Sequence, residues 1–333
     1  MILKQLKQNG AEVSALTGII VILLATSLFL PQTSRLIEHP ENGTYLFKIL
    51  YDNFCNEQNR ISAQIISLTL SVLEAFLIII MNLKQELTRA KGTFFLFVFF
   101  IVNLSFIPHN TLLPEQVANI FIILGITKIL SSHGVDKAMF ECFDMGFYFA
   151  LAALFCEEAI FMLIIGFIAL MVYRPYIFNE YAVYIIGFIT PVFFYLSIYY
   201  ITEGSLQPII ENYKALLVNN KDYSLSYIYF YYAAISFIMI VAASIFILGE
   251  YPKYNLLSSR TYKMFFILFL LAVTLSICPY FSFQAIRLAS MPLTMLYVTV
   301  FYNFNNRRTT FSEIIFSIFF IAYISIHVLC YVI

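Results

Sequence analysis

SAQIISLTLSVLEAFLIIIMNL, residues 62–83, is twenty-two residues with one charge. Directly after it comes KQELTRAK, residues 84–91, with three bases. A helix of about 20 apolar residues covers the roughly 30 Å of a bilayer's hydrocarbon. Bases collect on the cytoplasmic side of such helices. The stretch therefore predicts a membrane-spanning helix with its end at Lys84 facing inward.

The same pattern repeats in both directions. Segments at 12–30, 62–83, 93–108, 112–131, 142–156, 158–173, 181–201, 225–248, 264–279, 284–304 and 311–332 are apolar. They predict an all-α polytopic transmembrane bundle of about eleven helices, one integral membrane domain over residues 1–333. Segments 93–108, 142–156, 158–173 and 264–279 are short. The neighbours 142–156 and 158–173 are where a re-entrant pair is the alternative to two crossings. Lys4 and Lys7 precede the first segment, which reads as an uncleaved helix and not as a signal peptide.

With all segments spanning, the 19 bases divide thirteen to six. The minority set is Arg35, Lys48, Arg60, Lys214, Lys221 and Arg287. The bias puts the N-terminus inside and the C-terminus, Ile333, outside.

Composition agrees. The chain is 61% hydrophobic and 11% charged with net charge zero, against about 25% charged in soluble domains. Lipid is its solvent. Zero net charge argues against nucleic acid as a partner, since that requires a basic face. Tyrosines cluster where outward ends are expected, at Tyr195, Tyr199 and Tyr200 and again from Tyr223 to Tyr232, as an aromatic belt does. Two outer loops carry amphipathic patterns. Leu46, Phe47, Ile49, Leu50 and Phe54 oppose Lys48, Asp52 and Asn53 in the first. Leu206, Ile209, Ile210 and Tyr213 mark the second.

Ionisable residues within a membrane are costly and point to function. Glu74 lies midway along its segment, with no base at an obviously matching depth. It is a candidate for an ion or proton path, or for a neutral hydrogen-bonded group. Asn103 and Asn119 read as interhelical hydrogen bonders. At the outer mouth, Glu38, Asp52 and Glu57 are candidate catalytic acids. Arg35 and Arg287 are candidates for meeting a lipid phosphate with paired donors, with snorkelling as the simpler role of Arg287. Glu157 and Glu158 are candidate substrate-binding residues. Asp144 reads as the acid of a helix's first turn, and Pro191 as a kink.

Other chemistries lack their motifs. Glu157-Glu158 is followed by Met162 where a Glu-Glu-x-x-x-Arg membrane protease has arginine. The four histidines and five cysteines show neither helical i, i+4 pairing nor C-x-x-C spacing, so no metal is expected. A phosphate-binding glycine loop is absent, and no cofactor is implied.

Lys84 with Leu87-Thr88, Phe143-Asp144-x-Gly146, Ala152-x-Leu154-Phe155, and Gly187 with Pro191 carry a resemblance. Over residues 80–200 the chain resembles an uncharacterised family of multi-pass inner-membrane proteins of the Bacteroidota, a domain of unknown function. The resemblance implies a Gram-negative inner membrane. A looser likeness of architecture is to multi-pass glycosyltransferases that use polyprenyl-phosphate sugars. It implies that Glu38, Asp52 or Glu57 takes the place of the early acid and that Arg35 or Arg287 meets the lipid phosphate. The adjacent acidic pair of those enzymes is absent from the first loop. Three functions follow as alternatives. One is handling of a lipid-linked sugar for envelope glycan assembly, the second a transporter or flippase with a site near Glu74, and the third a non-catalytic subunit or scaffold.

Overall fold

The computed structural model describes residues 17–18, 44–54, 60–88, 90–104, 112–175, 177–218, 231, 234–238, 240–241, 243, 256–278, 283–303, 313 and 316–325. All regular structure among them is helical. Helix α1 is Tyr45–Phe54, α2 Arg60–Gln85, α3 Gly92–Leu104, α4 Pro114–Ser131, α5 Met139–Phe155, α6 Met162–Tyr173, α7 Phe178–Glu203, α8 Gln207–Val218, α9 Leu256–Ile277 and α10 Ser290–Asn303. Short 3-10 helices at Glu157–Phe161 and Phe283–Ala289 lead into α6 and α10. A further apolar helix, α11, is Phe316–Ser325.

Among the described residues, four helices are long and apolar enough to cross a membrane: Ser62–Gln85, Phe178–Glu203, Leu257–Ser276 and Ala285–Tyr302. Large apolar side chains face outward on α2 and α7, among them Phe76, Leu83, Phe193 and Ile201. Water would not leave such faces bare. They fit an integral membrane protein in contact with lipid.

Side-chain contacts fix which way each helix runs. At one end, α1 gathers the starts of α2 and α4 and the end of α5 around Phe47, with Ala63, Leu112 and Val117 buried and Phe155 packed on them. Thr44 donates its hydroxyl to the carbonyl of Phe155 at 3.0 Å. Tyr45 donates to Glu203 at the end of α7, 3.3 Å away, and its ring stands edge-on to Tyr199. At the far end, Arg174 after α6 and Glu180 in the first turn of α7 bind each other and the backbone between α4 and α5. Tyr173 donates to Thr261 near the start of α9, and Tyr262 donates to the carbonyl of Leu87 after α2. Thus α2, α4 and α6 run away from α1, while α5, α7 and α9 run toward it. The neighbours α5 and α6 both run between the two ends, one out and one back.

The closest helix pair is α5 with α7. A Cβ on Gly146 would strike the carbonyl of Tyr184, and one on Gly187 would strike the carbonyl of Phe143. Small residues let two helix backbones touch where lipid supplies no hydrophobic drive. Asp144, Gly146, Gly187 and Pro191 thus lie at or near one crossing. Helix α7 continues through Pro191.

Several expectations change. The segment at 264–279 begins eight residues earlier, at Leu256, and is full length. Its extra turns hold Ser258, Ser259 and Thr261, which are polar by composition yet buried against neighbours. Segment 284–304 starts as a 3-10 helix and becomes α only at Ser290. Asp144 is not in a first turn, since α5 begins at Met139; it binds Lys128 at 2.6 Å instead. On α1, Phe47 is buried but Ile49 is 45% exposed, because two residues along a helix turn the side chain about 200°. Tyrosine is also used inside. Tyr297 and Tyr323 meet hydroxyl to hydroxyl at 3.1 Å, and Tyr323 meets Ser236 at 3.0 Å. Most of segments 12–30 and 225–248, and half of 311–332, falls outside the described residues.

Candidate functional site in the polar seam of α2 and α4

Gln64, Ser67, Ser71 and Glu74 follow one another on α2 at steps of three, four and three. Such spacing stacks side chains on one helical face. All four are buried. The opposite face, with Ile65, Leu73, Phe76 and Ile80, is exposed. The sequence thus divides α2 into a lipid side and a polar inner side.

Helix α4 answers with Glu115, Gln116 and Asn119, all buried in its first turns. Two polar layers result. In the first, Ser67 donates to the carbonyl oxygen of Gln116 at 3.0 Å and receives its amide at 2.8 Å. That oxygen also takes the backbone N–H of Leu113. Ser71 donates back to the Ser67 carbonyl at 3.1 Å. In the second layer the amide of Asn119 donates to the carbonyl of Arg287 at 3.0 Å and to the hydroxyl of Ser290 at 3.2 Å. The Asn119 side chain also hydrogen-bonds the carboxyl of Glu74, which lies in the field of the Arg287 guanidinium.

This overturns two expectations. Glu74 does have a base at its depth, about 21 Å along α2 from Arg60 at 1.5 Å per residue. The base is Arg287, which is only 4% exposed. Arg287 does not snorkel to a headgroup. The 3-10 helix Phe283–Ala289 tucks it inward among fully buried Ala285, Ile286 and Leu288. A buried acid and base stabilise one another in low dielectric but lose hydration, so each depends on the polar groups around it. Asn119 supplies one for Glu74.

A second group lies nearer α1. Glu115 of α4 meets Cys156 and Glu158 from the turn between α5 and α6, with their ligand-type atoms within 4.8 Å of one another and all three residues buried. Cys156 donates its thiol to Glu158 at 3.1 Å. Three such atoms could hold a cation, but a thiol that keeps its proton for a carboxylate is not in the thiolate form a metal takes. The Cys156 thiol thus joins the set by a hydrogen bond. Sequence spacing gave no hint of it, because Glu115 is about forty residues from the other two.

The remaining sequence candidates separate. Asp52 is exposed on α1 and Glu157 is half-buried in the 3-10 turn. Arg35, Glu38 and Glu57 lie outside the described residues. Among the described residues, Asn103 bonds to its own helix, at the carbonyl of Phe99. At the start of α1, the phenol of Tyr45 is raised above its ordinary range by loss of solvent and by the Glu203 carboxylate.

The far end holds a group that sequence reasoning missed. Glu180 was not singled out, yet its carboxylate takes two hydrogen bonds from Arg174 and one from the backbone N–H of Ala138. Its signal was a lone acid in a first helical turn, six residues after an arginine. Against protein-family models, curated proteins and solved structures, the chain has no match in any of the three comparisons.

Proposed function

We propose that the protein is a multi-pass transporter or flippase of a bacterial inner membrane that couples protons to the movement of an anionic group. The single observation behind this reading is the placement of Arg287 beside Glu74 in the bundle interior. With Glu74 ionised, the pair is neutral. With Glu74 protonated, one positive charge is left in a medium that tolerates it poorly. An anion then replaces the carboxylate as partner of Arg287, and the amide of Asn119 and hydroxyl of Ser290 complete its contacts. One proton thus accompanies each negative charge. In this reading the α1 end faces outward, following the thirteen-to-six division of bases.

The test uses full-length protein in liposomes with a trapped pH dye, under an imposed pH gradient. A panel of carboxylates and phosphorylated compounds is screened for anion-dependent proton entry. At least one anion accelerates entry with the natural chain and none with Glu74→Gln or Arg287→Gln. Identical traces for all three proteins across the panel overturn the reading.

A second reading is handling of a lipid-linked sugar at the outer face. It is supported by the position of Asp52, exposed on a helix that Thr44 and Tyr45 fasten to the ends of α5 and α7. Under it, membrane lipid and a polyprenyl-phosphate-linked sugar are the partners, and Asp52→Ala abolishes glycan assembly. An unchanged glycan pattern overturns it.

A further inference from the structure

The seam between α2 and α4 is polar over only part of its length. From the α1 end it runs through Glu115, Gln116 with Ser67, Ser71, and then Glu74 with Asn119. Beyond Glu74 it changes character. Ile78 and Met81 on α2 and Ile122, Ile126 and Ile129 on α4 are buried in one apolar cluster. The next polar side chain on that face of α2, Asn82, is closed on the backbone of Thr88 by two hydrogen bonds. Helix α3, which packs on α2, brings no ionisable residue.

We propose that in this conformation Glu74 exchanges protons with the side of the membrane bearing α1, and that Glu115, Cys156 and Glu158 are the entry to that route. The proposal rests on Glu74 being the proton-carrying group of the transport reading above. A proton arriving at Glu158 or Glu115 is held by a carboxyl in a cluster that already shares one through Cys156. It moves on by hydroxyl rotation at Ser67 and Ser71, with the Gln116 amide holding the first hydroxyl in place. A carboxylate at Glu74 becomes a carboxylic acid, and the entry carboxyl is left ionised until water reprotonates it. No bond other than O–H forms or breaks. The groups that face Glu74 are Arg287 and Asn119, and Asn119 is in turn bonded to Ser290; Arg287 stays charged throughout and sets the field in which the proton arrives. On the far side, the isoleucines and methionine of the α2–α4 seam offer neither donor nor acceptor, and the Thr294 hydroxyl of α10 is spent on the carbonyl of Ser290, so the same exchange there must first wet an apolar layer.

The experiment follows the infrared carboxyl band of Glu74, identified as the band lost in Glu74→Gln, with full-length protein in vesicles. The α1 side is located by labelling Asn53→Cys in a Cys55→Ser background with a membrane-impermeant maleimide. A pH step on the α1 side moves the band promptly, and a step on the other side moves it about tenfold more slowly. The Ser67→Ala, Gln116→Leu double variant slows the α1-side response about tenfold with the same end-point. Ile78→Ser with Ile126→Ser, which leaves the polar layers intact, speeds the far-side response instead. A band that follows the far side first, that is unmoved from either side, or that is indifferent to both double variants overturns the proposal. If the band follows the α1 side while no anion carries protons into liposomes, the transport reading fails and the one-sided route stands.

Discussion

Arg174 and Glu180 face each other as two parallel forks, Nε to Oε2 at 2.8 Å and Nη2 to Oε1 at 2.6 Å. The remaining donors of Arg174 reach the carbonyls of Val135 at 2.5 Å and Asp136 at 3.0 Å. The end of α6, the start of α7 and the link between α4 and α5 are therefore tied by one ion pair, of which the carboxylate is almost fully enclosed. Removing one partner of an enclosed pair strands the other, at a cost of about 3–5 kcal/mol. Glu180→Ala is expected to lose that much in thermal unfolding of the purified protein in detergent. Arg174→Lys should recover little, because a lysine offers no fork.

At the crossing of α5 and α7, a single added methyl has nowhere to go, since the atoms it meets are backbone. Gly146→Ala and Gly187→Ala should each destabilise by about 1–3 kcal/mol or more. The two substitutions push apart the same pair of backbones, so their double variant should cost less than the sum of the single ones. Melting temperatures of the three proteins decide it; strict additivity would mean that the helices do not touch at this point.

Glu74 and Arg287 allow a thermodynamic cycle. Either single leucine substitution leaves a charge, or its costly neutral form, without its counterpart. Replacing both removes that penalty. The coupling between them is expected at about 0.5–3 kcal/mol in favour of the double variant. A coupling of zero in denaturant unfolding would show that their charges do not sense one another.

Lys128 and Asp144 make a contrast. They too are 2.6 Å apart, but their side chains are 38% and 40% exposed. Such a pair contributes about 0–1 kcal/mol and is screened by salt. Asp144→Asn should shift the unfolding midpoint little in low salt and not at all in high salt, if the exposed side faces water.

Hydropathy made the alternation of helices legible, because lipid-facing side chains must be apolar whatever packs behind them. The same measure was blind at the start of α9, where Ser258, Ser259 and Thr261 count as polar but find cover inside the bundle. Glu74 stood out because a lone acid in an apolar run is visible without any neighbour. Its counterpart did not, since Arg287 comes 213 residues later and is buried only because a 3-10 helix turns it inward. Glu115 gave no signal for the same reason: its neighbours Cys156 and Glu158 arrive through the folding of α5 and α6 onto α4. Sequence spacing reports contacts within a helix, and these contacts run between helices.

The glycine crossing has a mechanical side. Backbones that touch cannot slide or tilt without collision, so α5 and α7 behave as a single stiff beam, and Arg174 with Glu180 welds its lower end to α4 and α6. The seam of α2 is joined differently, by rotatable hydroxyls and amides that can exchange one partner for another. Any working motion of this bundle is therefore expected to be a movement of α2 and α10 against a fixed α5–α7 frame, with the Glu74 layer as its hinge line.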